Sequence, residues 1–186
     1  PGVVAGQAAI SQPSPQQMII DQASERAIIN WRDFSIAVDE LVQFNQPGVD
    51  SSVLNRVTGS NLSEIHGTLS ANGQVILLNP HGVMVGETGV IDVNSFLAST
   101  LDVSDADFMG GGDMLFFRDG DLFGTITNLG TINAANGDIV LLGRKVHNEG
   151  LISAPDGGVN IQAGYDELLL RESGGIFIRV EVIQEE

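Results

Sequence analysis

Short apolar runs alternate with small polar and turn-forming residues along most of the chain, and this pattern predicts a series of β-strands. Three such runs are Ala27–Trp31, Phe34–Val38 and Leu41–Phe44, and the last is followed by the turn sequence Asn45-Gln46-Pro47-Gly48. Residues 1–17 are small, polar and proline-bearing, so they are expected to form short extended pieces rather than a helix. The pattern therefore favours an all-β chain.

A convincing helical period of ten or more residues is missing from the sequence. The best helical candidate is the stretch Asn94–Leu101, which is weakened by β-branched residues near its ends.

A four-residue interruption divides the apolar stretch in the middle of the chain. Gln74–Leu78 and Val83–Val85 have the composition of strands, and Asn79-Pro80-His81-Gly82 stands between them. Asparagine is favoured at the first position of a type I β-turn, proline at the second and glycine at the fourth. The interruption is therefore predicted to be a corner between two strands.

A repeat with a spacing of 20 residues runs through the second half of the chain. Asn128–Ala134 (NLGTINA) matches Asn148–Ala154 (NEGLISA), and Gly67–Val75 (GTLSANGQV) is an earlier copy of the same pattern. Short strands with Gly and Asn corners at this period favour a parallel β-helix, in which each repeat is one coil. The pattern of a leucine-rich repeat is missing. A β-sandwich remains an alternative, but it does not by itself explain the spacing.

The repeat also predicts which side chains face the interior of the coils. Alternate residues of a strand point to opposite faces, so equivalent residues of successive coils should stack. The predicted stack places Ile132, Ala134, Ile139 and Leu141 on Ile152, Ala154, Val159 and Ile161. Asparagine and glycine are expected at the corners because they tolerate a left-handed backbone.

We interpret residues 1–186 as a single domain with five regions, because the end coils of a stack need covering and residues 102–121 break the repeat. The predicted regions are an N-terminal cap (1–50), the first coils (51–101), a β excursion (102–123) carrying Met114–Phe117, further coils (124–165), and a C-terminal coil or cap (166–186).

The amino-acid composition argues against several classes of protein. A hydrophobic content of 42% is too high for a disordered chain, while 5% aromatic residues and 23 glycines suit repetitive β-structure. Eight Lys and Arg against 24 Asp and Glu give a net charge of −16, which should repel nucleic acids and anionic lipids. No segment approaches the roughly 20 apolar residues of a membrane-spanning helix. Neither a nucleic-acid partner nor membrane insertion is predicted.

The sequence contains no recognisable catalytic or metal-binding motif. The absence of cysteine excludes disulfides and thiolate ligands. His66, His81 and His147 do not have the spacing of a zinc site and are expected on coil surfaces. Asp138 and Gly158 occupy the same repeat position, so a ladder of catalytic carboxylates is not visible. No catalytic, cofactor-binding or metal-binding residue is predicted.

The acidic stretch Asp119-Gly120-Asp121, with Asp113 nearby, has oxygen ligands of the kind that calcium prefers. It lacks the spacing of an EF-hand and the repeated nonapeptide of calcium-binding β-rolls. We therefore interpret it as a solvated acidic loop.

The segment Asn61–Asp102 resembles the secretion (TPS) domain of two-partner secretion exoproteins, of the filamentous haemagglutinin type and closest to the high-molecular-weight adhesin branch. The family motif is roughly Asn-Pro-Asn-Gly-Ile/Val, followed by an apolar residue and glycine. Here it comprises Asn79, Pro80, His81, Gly82, Val83, Met84, Val85 and Gly86. His81 stands where the family usually has asparagine. Further matches are Ile29–Phe34, Val42–Pro47, Leu54–Val57, Phe96–Thr100 and the coils from Gly124 to Gly164.

The resemblance implies a right-handed parallel β-helix with an N-terminal cap that is not an enzyme. It implies export to the periplasm of a Gram-negative bacterium and capture by the periplasmic (POTRA) domains of a cognate outer-membrane barrel transporter. Folding would then be nucleated at the cell surface, where the protein is displayed or secreted. The eight motif residues would either recognise the transporter or shape a corner. The alternative is a β-helical adhesion module that binds carbohydrate or a host protein directly, or through the full-length protein.

Overall fold

Three sheets, whose coil strands pair in parallel, wind into a coil of about seven turns in the computed structural model, which describes residues 1–118, 120–122, 124–164, 167–173 and 176–182. The all-β prediction and the parallel β-helix are confirmed. No helix within the described ranges is long and apolar enough to cross a bilayer.

Sheet A has seven strands and forms one side of the coil. In spatial order they are β1 (Gly2–Ala5), β4 (Arg26–Trp31), β6 (Ser52–Val57), β9 (Gln74–Leu78), β12 (Ser95–Ser99), β17 (Ile139–Gly143) and β20 (Val159–Ala163).

Sheets B and C form the other two sides. Sheet B consists of β19 (Leu151–Ser153), β16 (Thr131–Ala134), β11 (Val90–Val93), β8 (Thr68–Ala71), β5 (Leu41–Asn45), β3 (Gln17–Gln22) and β2 (Ala8–Ser14). Sheet C consists of β18 (Lys145–Asn148), β15 (Thr125–Asn128), β10 (Val83–Val85) and β7 (Ser63–Ile65).

A fourth, antiparallel sheet, here called the outer sheet, lies outside the coil. It contains β13 (Asp102–Val103), β14 (Met114–Phe117), β21 (Glu167–Ser173) and β22 (Ile176–Val182), and the helix α1 (Asp105–Gly110) connects its first two strands.

The 20-residue repeat corresponds to one coil. Thr125 pairs with Lys145 in sheet C, Thr131 with Leu151 in sheet B, and Ile139 with Val159 in sheet A, each 20 residues apart. All three of these strand pairs are parallel. The predicted stacking of Ile132 on Ile152 and of Leu141 on Ile161 is therefore confirmed.

The N-terminal strands cover the first coil with antiparallel pairing. β1 pairs antiparallel with β4, and β2 pairs antiparallel with β3. Because these two pairs break the parallel pattern, they occupy the edges that a further coil would otherwise use. Pro13 in β2 lacks a backbone donor, which makes that edge a poor template for another strand.

The middle strands of sheet A are buried on both faces, and this explains their nearly continuous apolar sequences. All five residues of each of β9, β12 and β17 are buried. One face joins the core inside the coil, and the opposite face packs under the outer sheet and α1. A strand that is buried on both sides cannot show the alternation of a half-buried strand.

Two arginines fasten the excursion to the coil. The Arg56 guanidinium donates from Nε to Asp102 Oδ1 at 2.9 Å, and its other nitrogens reach Asp105 Oδ1 and the Val103 carbonyl at 2.7 Å each. Arg26 donates to the Phe108 carbonyl at 2.9 Å and lies over the Phe108 ring. Burial tends to lower the pKa of Arg56, but the hydrogen bonds and charges of Asp105 and Asp102 outweigh it, and the pKa is raised.

The candidate helix at Asn94–Leu101 was a wrong prediction, because Ser95–Ser99 forms strand β12 between β9 and β17. Two hydrogen-bonded neighbours and complete burial override a weak local helical preference. The helix in the described part of the chain is α1, inside the predicted excursion, where the Ser104 hydroxyl caps its start by accepting from the Asp107 amide at 3.0 Å.

Phe34–Val38 is not a strand either. Within it only Ile36 makes an isolated bridge, to Ile65. Asp39, with a φ of 67°, follows directly and turns the chain toward β5. Phe34 and Ile36 are nevertheless buried in the core. The apolar pattern therefore predicted their burial correctly, but its prediction of a strand was wrong.

The C-terminal region lies in the outer sheet. Glu167–Ser173 pairs antiparallel with Met114–Phe117, and Ile176–Val182 pairs with Glu167–Ser173. These strands therefore belong to the same sheet as the excursion, rather than to a coil or an end cap.

Candidate recognition site

The four residues Asn79-Pro80-His81-Gly82 form a corner between β9 of sheet A and β10 of sheet C. The Gly82 amide donates to the Asn79 carbonyl at 2.9 Å, which closes the predicted turn. Gly82 has a φ of 114°, a conformation that side-chain-bearing residues rarely adopt. The two predicted flanking strands have the bounds expected from the sequence.

Asn79 is fully buried and joins two coils through its side chain. Its amide group donates to the Asn61 carbonyl at 2.9 Å and to the Ser63 hydroxyl at 3.0 Å. Its side-chain oxygen accepts from the His81 amide at 2.9 Å. These bonds use the side chain inside the fold, so Asn79 holds the corner and is not available to a partner.

Neighbouring coils enclose the corner from both sides. The Pro80 carbonyl accepts from the Gly124 amide at 3.1 Å, and the Gly82 carbonyl accepts from the Ser63 amide at 3.2 Å. A Cβ at Gly82 would lie 2.7 Å from the Thr125 carbonyl oxygen. The corner is thus a close-packed layer of the stack.

The remaining motif residues divide between core and surface. Val83 and Val85 belong to the core inside the coil. A Cβ at Gly86 would collide with the His66 imidazole. Pro80, His81 and Met84 are the motif residues that keep part of their surface accessible.

His81 lies where two surface depressions meet. One is lined by Arg32, Asp33, Thr58, Gly59, Ser60, Asn61 and His81. The other is lined by Arg56, Val57, Thr58, Gly59, Leu78, Pro80, His81, Thr100, Leu101, Asp102 and Leu122. His81, Thr58 and Gly59 are common to both, so we call the combined surface the His81 cleft.

The His81 cleft contains residues that the sequence did not single out. Leu122, on the return of the excursion, is 42% exposed and forms an apolar rim beside Pro80. The Arg56 side chain also lines the cleft, and its positive charge forms ion pairs with Asp102 and Asp105. Only folding brings these residues to the motif, because 41 positions separate His81 from Leu122.

The other candidate chemistry does not form a site in the described residues. Among them, no group of three or more His, Asp or Glu side chains is placed to hold a metal ion. Asp119 lies outside the described residues. His66 directly follows β7 and His147 lies in β18, and both are partly exposed, near Glu64 and Glu149 respectively. The Asp138 carboxylate accepts from the Gly158 amide at 2.6 Å and thus bonds to the next coil.

Comparison with known proteins identifies the family of the chain that carries this corner. The chain matches the TPS secretion domain family over residues 3–180. It belongs to this family. The secretion domain assignment covers the cap, the coils, the excursion and most of the C-terminal strands, and it confirms the resemblance seen in the motif.

The curated relatives are longer proteins. A heme/hemopexin-binding protein of Haemophilus influenzae strain Rd is 37% identical over 186 residues, which cover 96% of this chain and 20% of that protein. A second heme/hemopexin-binding protein of Haemophilus influenzae is 40% identical over 100 residues, covering 54% of this chain and 11% of that protein. The secretion domain therefore spans about a fifth of the first relative.

Two solved structures share the fold. The HMW1 secretion domain from Haemophilus influenzae has a TM-score of 0.87 and 34% identity, covering 98% of this chain and 48% of that chain. The filamentous hemagglutinin secretion domain has a TM-score of 0.67 at 18% identity, covering 99% and 69%, and supports the fold alone.

Proposed function

We propose that this secretion domain forms the N-terminal part of a larger exoprotein and is captured by the periplasmic (POTRA) domains of its cognate outer-membrane transporter. The family match over residues 3–180 carries this proposal. Proteins with this domain use two-partner systems of Gram-negative bacteria, which supports a secreted or cell-surface location. The domain would not be an enzyme and would need no cofactor.

The His81 cleft is the proposed contact surface for the transporter. It combines the accessible part of the family motif, Pro80 and His81, with the exposed Leu122. A partly apolar depression with a few polar groups is suited to an extended segment of a partner. The buried Asn79 and Gly82 would support this surface without touching the partner.

Replacing His81 with alanine is expected to weaken capture about tenfold, equivalent to about 1.4 kcal/mol, without a measurable loss of stability. The isolated periplasmic domains of the transporter are immobilised, and the domain is titrated over them. His147→Ala is the matched control, because this exposed histidine lies on β18 outside the cleft. If both variants bind equally well, the His81 cleft is not the contact surface. If the unaltered domain does not bind, the periplasmic domains do not capture it.

The alternative is a β-helical adhesion module that binds a ligand directly. The curated relatives are named for binding heme or hemopexin, and the secretion domain spans only a fifth of one of them. The same titration with heme, hemopexin or glycans in place of the transporter domains tests this alternative. Binding to one of these, without binding to the transporter domains, would favour adhesion.

We further propose that the folded coil nucleates folding of the chain that follows it. Val159 and Ile161 occupy inward-facing positions of the last described coil, yet they are 45% and 44% exposed. Their partners one coil earlier, Ile139 and Leu141, are fully buried. An incomplete layer of this kind offers an apolar template and a free strand edge to a further coil.

The double substitution Val159→Ser with Ile161→Ser should slow refolding of a longer chain that continues beyond Glu186. Within residues 1–186 it should change the unfolding free energy by only about 0.5 kcal/mol, because both side chains are largely exposed. Refolding from urea is followed by circular dichroism. Asn160→Ser, on the opposite face of β20, is the control. Unchanged refolding of the longer chain would contradict nucleation at this end.

A further inference from the structure

The secretion domain contains two hydrophobic cores, which sheet A separates. The inner core is built coil by coil from residues that face their neighbours in the stack. The outer core lies between sheet A and the outer sheet, and the sheet A residues that contribute to it are Ile28, Leu54, Ile76, Leu78, Leu97, Val140 and Leu142. All seven are at most 1% exposed. Their burial depends on the outer sheet and α1, because the coil itself does not cover them.

Two segments that are distant in sequence complete this cover. The first is Asp102–Phe117, which contains β13, α1 and β14. The second, which we call the closing hairpin, consists of β21 and β22. Met114 pairs with Leu170 and Phe116 with Leu168, so residues more than 50 positions apart form the central seam. Coils formed by β15 to β20 lie between them in the chain.

The first segment has its own anchors to the coil. Arg56 binds Asp102, Val103 and Asp105 at the start of α1, and Arg26 binds the Phe108 carbonyl near its end. These contacts involve β4 and β6, both N-terminal to the segment. The first segment can therefore dock without the closing hairpin.

The closing hairpin is attached differently. In the described residues, no strand of the outer sheet pairs in a strand ladder with sheets A, B or C, and the Arg56 hydrogen bonds to the outer sheet go to β13 and α1. Leu168 and Leu170 are buried in the outer core at 1% and 0% exposure, and β21 pairs with β14 along one edge. Gly164, with a φ of 87°, leads from the coil toward this hairpin. The inner core needs none of these contacts.

We propose that the closing hairpin docks last and opens separately from the coil, as a hinged cover over the outer face of sheet A. Opening frees the Met114–Phe117 edge and exposes apolar residues such as Leu142, while the inner core stays intact. Units with separate cores and no shared strand ladder open with different free energies. During export from the N-terminus, every coil up to Gly164 would form before the cover closes, and this last consequence alone rests on the proposed function.

Single-cysteine labelling tests the proposal, because the natural chain has no cysteine. Leu141 and Leu142 are adjacent in β17 and both fully buried, but Leu141 faces the inner core and Leu142 the outer core. In the otherwise unaltered chain, the cysteines of Leu142→Cys and Leu170→Cys should react with a thiol reagent at least about tenfold faster than that of Leu141→Cys. Adding Leu168→Ala should accelerate the Leu142→Cys reaction and leave the Leu141→Cys reaction unchanged.

Equal rates at the three positions would overturn the proposal, since the cover would then open only with global unfolding. A fast reaction at position 170 with a slow one at position 142 would also overturn it, because the outer face would not be uncovered. Hydrogen exchange on the unsubstituted chain gives the same test without a packing change. The amides of Leu168 to Leu170 should exchange before those of Leu141 and Ala98, and exchange at one common rate would contradict separate opening.

Discussion

Replacement of Asn79 by alanine is expected to lower the free energy of unfolding by about 3 kcal/mol. The side chain is fully buried, and its loss would leave the Asn61 carbonyl, the Ser63 hydroxyl and the His81 amide without a partner. A buried polar group that loses its hydrogen bond costs about 1–3 kcal/mol, and partial relaxation keeps the sum below three full penalties. Urea denaturation followed by the fluorescence of Trp31, the single tryptophan, measures the change.

His81→Ala is the matched control for this prediction, since it alters the same corner at a partly exposed side chain. It should change the unfolding free energy by about 0.5 kcal/mol or less. A similar loss in both variants would mean that the corner responds to any substitution. A small loss with Asn79→Ala would mean that the buried hydrogen bonds do not stabilise the stack.

Replacement of Gly130 by alanine is expected to cost about 3 kcal/mol or more, or to prevent folding. A Cβ at this position would lie closer than 3.0 Å to the carbonyl oxygens of Gly86 and Gly89, in the coil above. Both oxygens belong to the backbone, so they cannot turn away as a side chain could. The spacing of about 4.8 Å between hydrogen-bonded strands prevents the coils from separating.

Gly110→Ala provides the comparison for Gly130→Ala. Gly110 ends α1, and a Cβ there would meet no atom within 4 Å. This variant should be neutral or slightly stabilising, by about 0.5 kcal/mol, because alanine loses less backbone entropy on folding. Thermal unfolding of both variants measures the difference. Similar melting temperatures would contradict the close-approach explanation.

Glycines were correctly predicted at the corners of the coil, but most of them are needed for a different reason from the one given by the sequence. The sequence predicted glycine at corners for its left-handed conformations, and this reason holds at Gly82. Gly67, Gly89, Gly130 and Gly150 have no positive φ, but a Cβ at each would collide with a backbone carbonyl of an adjacent coil. The spacing of these glycines was visible in the sequence. Their contacts were not, because they join residues of different coils.

The two wrong strand and helix assignments have a common origin. Asn94–Leu101 and Phe34–Val38 were judged from their own residues, whereas strand formation depends on the neighbours that supply hydrogen bonds. Ser95–Ser99 has a partner on each side, and Phe34–Val38 has only the bridge from Ile36 to Ile65. Local composition does not contain this information.

The candidate site was predictable only in part. The motif Asn79 to Gly86 and its turn were visible in the sequence, because turn residues act on their own backbone. The division of the motif into a buried Asn79 and an accessible His81 depends on Asn61, Ser63 and Gly124 in neighbouring coils. Leu122 joins the site through a long excursion, and no spacing in the sequence indicates that approach.

The coil could be predicted from the 20-residue period alone, because that period places the same side chains at the same positions of successive turns and each turn contacts its neighbours. The corner at Asn79-Pro80-His81-Gly82 was equally predictable, because its turn preference is local. The outer core became visible in the folded chain alone, since Leu168 and Leu170 meet Met114 and Phe116 across more than 50 residues. An outward-facing leucine has the same sequence signature whether it meets water or a distant strand, and the chain must fold before the two can be distinguished.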